Sequence, residues 1–157
     1  MTTLLKTSEE VAAEIKGRLD AILVTNSCET NIGTKVFQGR RKINNDEVPC
    51  AVLIEGEDTV TDLAGRQLTD ARLAQRYVLI GYDACDPENP NVKAHAMIRD
   101  LKRAIYKTAG VPSGNLGGAV RAVRYQGRDI GPRADGVAIV MAIVEIVVEF
   151  SEDLANP

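Results

Sequence analysis

The run from Val137 to Phe150 constrains this chain more than any other segment. Its only charged residues are Glu145 and Glu149. β-branched residues dominate it, so it is predicted to be a strand rather than a helix. At about 3.4 Å per residue such a strand reaches roughly 45 Å, well beyond the usual five or six residues. The even positions are Ala138, Val140, Ala142, Val144, Ile146, Val148 and Phe150, all apolar, and are expected to face the core along the whole length. The odd positions, Val137, Ile139, Met141, Ile143, Glu145, Val147 and Glu149, begin apolar and turn partly acidic at Glu145. A sheet face of that mixed character is expected to be covered by another element or by another subunit.

With 157 residues, a single domain over 1–157 with a core of useful size is expected. A net charge of −3 and the absence of Trp argue against a nucleic-acid coat or a base-stacking platform. The N-terminus MTTLLKTSEE turns polar after Leu5 and is not expected to act as a signal peptide. The run 137–150 is too short to cross a bilayer as a helix. Cys28, Cys50 and Cys85 have neither metal-ligand nor CxxC spacing and are read as free thiols of a reducing compartment.

Thr7 and Glu10 have the spacing of a capping box, and Val11, Ile15, Leu19, Ile22 and Leu23 follow at helical spacing. A first helix is therefore predicted over 8–24, with a loop over 25–33 after it. Strands are predicted near 34–41, over 50–56 after Pro49, and over 72–84. Between the last two, the polar stretch 57–71 is read as a long loop or irregular hairpin. A second helix over 92–109 places Met97, Leu101, Ala104, Ile105 and Thr108 on one face. The Gly-rich segment 110–118 leads to a strand over 119–130 and, past the turn Gly131–Gly136, to the long final strand. The order helix, three strands, helix, two strands predicts an α+β domain: a mostly antiparallel sheet of four to five strands with two helices on one face.

No constellation forms a recognisable catalytic or metal site, and no cofactor is expected. His95 is the only histidine and has no sequence-adjacent triad partners; a small hydrolase using it with Cys50 or Cys85 is the enzymatic alternative. The acidic turn 83–90 lacks the order of a calcium loop, and 110–118 lacks the Gly-Lys-Ser/Thr of a phosphate loop. Two basic clusters remain, Arg40 and Arg41 with Lys42, and Arg121, Arg124, Arg128 and Arg133. Either they are solvated and paired with Asp129 and Asp135, or their guanidinium forks reach a second subunit or a partner. The candidate interface is therefore Arg40, Arg41, Arg124, Arg128, Asp129, Arg133, Asp135, Val137, Ile139, Met141, Ile143 and Glu145.

Three segments carry a family resemblance: NPNVKAHAMIRDLKRAIYKT, VRYQGRDIGPRADG and AIVMAIVEIVVEFSEDLANP, with FQGRRKINNDEVPCAVLIEGED upstream. In order and pattern they resemble the tail terminator (tail completion) proteins of long-tailed bacteriophages. The resemblance covers about two-thirds of the chain, from Val36 onward, and rests on pattern rather than on a catalytic fingerprint. It implies a virion protein without enzymatic activity. It also implies a homo-hexameric ring that caps the tail tube, ends its polymerisation and joins a head–tail connector protein. DNA would pass through the channel without specific binding, and no membrane is involved. The nearest alternative within such a particle is another neck or head-closure protein.

Overall fold

In the computed structural model, residues 3–132 and 136–157 are described. Helix α1 spans Ser8–Asp20 and α2 spans Pro90–Tyr106; the strands are β1 (Val36–Gln38), β2 (Cys50–Ala64), β3 (Asp70–Ala84), β4 (Lys107–Thr108), β5 (Val111–Pro112), β6 (Ala122–Ile130) and β7 (Ile139–Asp153). The main sheet has the order β1-β2-β3-β7-β6, and β4 and β5 form a separate two-stranded pair. All pairings are antiparallel except β1 with β2. The fold is α+β, with the expected order of helices and main-sheet strands; the short β4–β5 pair, in 107–112 where the end of the second helix and a Gly-rich connection are expected, is additional.

The period-two reading of β7 holds closely. Val140, Ala142, Val144, Ile146, Val148 and Phe150 are all buried, while the odd positions from Ile139 to Glu149 are half-buried. Ala138 is a correction: it is exposed, because the strand begins only at Ile139. The even face meets Leu79, Tyr77 and Leu73 of β3, which lie opposite Val144, Ile146 and Phe150. Val11, Ile15 and Leu19 of α1 and Met97, Leu101 and Ile105 of α2 close over this face in one continuous cluster. Each fully buried side chain of this size contributes roughly 1.5–3 kcal/mol.

The helix ends shift from the sequence expectation for local reasons. Thr7 Oγ1 accepts the Glu10 N–H at 3.1 Å, as a cap should, but the Glu10 carboxylate reaches back to the Lys6 N–H rather than to that of Thr7. Helix α1 stops at Asp20 instead of 24. Asn26 Nδ2 donates to the Ala21 carbonyl and Asn31 Oδ1 accepts the Val24 N–H, so two side chains replace the next helical turn. Helix α2 begins at Pro90 and ends at Tyr106. Thr108, expected on its apolar face, instead lies in β4, where its hydroxyl accepts from Arg18 Nη2.

The largest departure is in 57–71. Strand β2 does not end near Gly56 but continues to Ala64, pairing with β3 as far as Ala64–Asp70. The hairpin alternative therefore holds and the loop alternative fails. Register shifts at Glu55/Asp58 and Val60/Asp62 mark two bulges in the arm. They explain why its sequence has no clean alternation. Gly65, at φ 87°, turns the chain at the tip.

Candidate functional site

Neither helix covers the second face of the sheet. Across β3 and β7 its rows are Tyr82–Met141, Ile80–Ile143, Val78–Glu145, Arg76–Val147 and Ala74–Glu149. Strand β2 extends three of these rows with Cys50, Val52 and Ile54, of which Cys50 and Val52 are fully buried, so the face is open over β3 and β7 rather than over β2. The apolar end is flanked by the segment 43–48, where Ile43, Asn44 and Val48 border a recess of about 240 Å³ with Tyr82, Ile139 and Met141. Gly131 belongs to this end by necessity: a Cβ there would sit 2.0 Å from Met141 Cε. The other end is ionic, with Arg76 paired to Glu145 and Arg124 to Glu149, both at 2.8 Å.

The sequence-predicted interface residues fall into three groups. Ile139, Met141, Ile143 and Glu145 share the open face, and Val137 lies at its apolar margin, 41% exposed. Arg124 and Arg128 stand on β6, the last strand of the sheet, and Asp129 is opposite Ile143. The Asp129 carboxylate accepts the Ile130 N–H. Arg128 and Arg121 have no ion-pair partner among the described residues. Arg40 is engaged within the chain, stacked over the Phe37 ring at 4.3 Å and bonded to Glu47 at 2.9 Å, whereas Arg41 is exposed beside it. Arg133 and Asp135 lie outside the described residues.

One polar cluster escaped the sequence reading. Asp100, 1% exposed, accepts the N–H groups of Glu29 and Thr30 and the Thr30 hydroxyl at 2.7–3.1 Å. Glu29 in turn bridges Arg99 and Arg103 at 2.8–2.9 Å. The loop after α1 is thereby tied to α2. The Arg99 hydrogen bond leads in holding the Glu29 carboxyl at about 2, against an ordinary value of 4.5. A carboxylate depressed on folding adds stability above its unfolded value and loses it as pH falls through the folded one. Glu29→Gln is therefore expected to flatten the acid limb of a stability–pH curve between about 4.5 and 2, measured by thermal melts, with a modest effect because the bridge is solvent-exposed.

The groups for catalysis are not brought together. His95 is exposed on α2, and no hydrogen bond joins it to a cysteine among the described residues. Cys50 is fully buried, and its burial, with Glu47 nearby, pushes the thiol up to about 11, the wrong direction for a nucleophile. Among the described residues no group of three His, Cys, Asp or Glu side chains is placed to hold a metal ion. A recess of about 470 Å³ beside Leu5, Ala71, Arg121 and Phe150 contains neither histidine nor cysteine. No helix of the described residues is long and apolar enough to cross a membrane.

Fold and surface together define a small α+β domain with one helix-covered and one open sheet face. The same fold occurs in a chain of a solved structure described as "Virion of native gene transfer agent (GTA) particle", with a TM-score of 0.55 over 90% of this chain and 94% of that chain. The two are 13% identical, so the likeness is one of fold. No family model matches the sequence, and no curated protein matches it.

Proposed function

We propose that the protein is a virion structural component that acts by assembly: a tail terminator that forms a hexameric ring on the end of the tail tube. The observation that carries this proposal is the second face of β3 and β7, where Tyr82, Met141 and Ile143, half-buried around the buried Ile80, form an apolar half without a covering helix. A face of this kind is stabilised by burial against another protein surface. The fold shared with a chain of a gene transfer agent virion supports a place in a virion. The resemblance of 36–157 to tail terminators supports the finer assignment. On this proposal the partners are further copies of the chain, the tail tube protein and a head–tail connector protein, with DNA passing through the channel ungripped. A net charge of −3 suits a channel that must release DNA.

The test is mass by light scattering over a wide concentration range, with negative-stain images of the same fractions and of purified tail tubes after addition of the protein. Rings of six subunits, free or seated on tube ends, are the expected result. A protein that stays monomeric and leaves every tube end bare is no terminator. Binding to heads but not to tubes would reassign it as a head-closure connector.

A further inference from the structure

The two edges of the main sheet are each partly free and carry opposite charge. At one edge, β1 covers β2 only at Ala51–Leu53, so the outer side of the arm beyond it is unpaired. Every residue from Glu57 to Ala64 is exposed, and β2 carries Glu55, Glu57, Asp58 and Asp62 with no basic residue. At the other edge, β6 carries Arg124 and Arg128, with Arg121 just before it, against the single carboxylate Asp129. The start of β6 is closed off: the Val123 N–H donates to the Gly114 carbonyl at 2.7 Å, and the Tyr106 hydroxyl donates to the Val123 carbonyl at 3.2 Å. The free edge therefore runs from Arg124 to Ile130.

We infer that successive copies join edge to edge, the β2 arm of one pairing antiparallel with β6 of the next, so that the sheet continues from subunit to subunit. This deepens the ring assignment above and rests on it. Unprotected edges are normally blunted by charge to prevent pairing. Here that charge selects the pairing instead: β2 against β2 or β6 against β6 opposes like charges, while β2 against β6 opposes unlike ones. The favoured contact is thus heterologous, the kind that closes into rings. Strands β2 and β6 run in opposite directions within the sheet, so a rotated copy presents them antiparallel.

The bulges fix the register. Asp58 lies opposite Gln75 on the helix side and Asp62 opposite Arg72 on the open side, because the arm bulges between Val60 and Asp62. Arg128 lies opposite Val144 on the helix side and Arg124 opposite Val147 on the open side, because β6 bulges between Tyr125 and Gly127. Setting Asp58 against Arg128 therefore sets Asp62, 3.8 Å from Arg72 within its own chain, against Arg124, paired at 2.8 Å with its own Glu149, each pair on a shared face. Both pairs demand the same stagger. Asp58 is in the row of Val148 and Arg128 in that of Val144; Asp62 is in the row of Ser151 and Arg124 in that of Val147. A common stagger is what strands tilted to the axis of a closed assembly provide.

The test uses the full chain with Cys28 and Cys85 replaced by serine. Asp62→Cys and Arg124→Cys are made in separate chains and oxidised alone and mixed. Opposite residues of an antiparallel pair lie about 4.5–5.5 Å apart at Cα, within disulfide reach. A linked dimer in the mixture and in neither variant alone is expected, and light scattering of unoxidised protein is run beside it. Charge reversal supplies the second arm. Asp58→Arg with Asp62→Arg, or Arg124→Asp with Arg128→Asp, should abolish ring mass, and all four changes in one chain should restore it, with thermal melts confirming folding. Linkage within one variant alone means a symmetric contact and overturns the inference. Rings that form without mixed linkage, or survive reversal, overturn the edge pairing while leaving the ring intact. A monomer that also leaves tube ends bare overturns both.

Discussion

Val144→Asp should leave no folded protein, whereas Ile143→Lys, one residue away, should leave the fold intact and abolish assembly. Val144 is fully buried against Leu79 and the helices, and a carboxylate there has no partner. The cost is more than about 4 kcal/mol, a large share of the total stability of a domain this size. Ile143 faces the other way, half-buried on the open face between Ile80 and Asp129. Lysine is the better probe than aspartate, because Asp129 lies directly opposite and would repel a second carboxylate. Its cost to the monomer is about 1 kcal/mol of lost apolar burial. A charged ammonium in the apolar half of the face must, however, be desolvated whenever another surface covers it. Circular dichroism melts and light scattering separate the two effects. If Ile143→Lys assembled like the parent chain, the open face would not be the contact surface.

Asp100→Ala is expected to cost about 3 kcal/mol, comparable to the loss of a large core side chain. The substitution strands the N–H groups of Glu29 and Thr30 and the Thr30 hydroxyl, which is itself buried, and leaves Arg103 with one carboxylate fewer. For a chain of this length the melting temperature should fall by roughly 6–12 °C. Asp100→Asn, which keeps an acceptor oxygen, should recover part of the loss. An unchanged melting temperature for the alanine variant would show that the loop after α1 is held by other contacts.

The two residues at issue in the first prediction were assignable from the sequence. Burial in a strand is decided residue by residue along the chain, and the alternation in 138–150 marks which side chains face the helices. The same holds for Val11, Ile15 and Leu19. Asp100 was not assignable. Its acceptor role depends on backbone groups at Glu29 and Thr30, some seventy residues away, and nothing in IRDLKR distinguishes it from a solvated helix carboxylate.

The arm at 57–64 was legible only as one of two alternatives, loop or irregular hairpin, for a related reason. With both faces exposed it has no apolar side to betray its period, and two bulges break what alternation remains. It is a strand because β3 offers it hydrogen bonds, which is a property of the partner rather than of its own residues. The arginines of 121–133 and the carboxylates of 55–62 were each visible as charge, but not as a complementary pair. The α+β class, the order of the main elements and the inward and outward faces of β7 were readable in the amino-acid sequence, because these follow from local periodicity and burial. That β1 and β6 end the sheet, leaving the β2 arm beyond the short β1 and the outer side of β6 free and oppositely charged, is a product of the three-dimensional arrangement. Strand order is set by hydrogen bonding between segments far apart in the chain, and no local pattern encodes it.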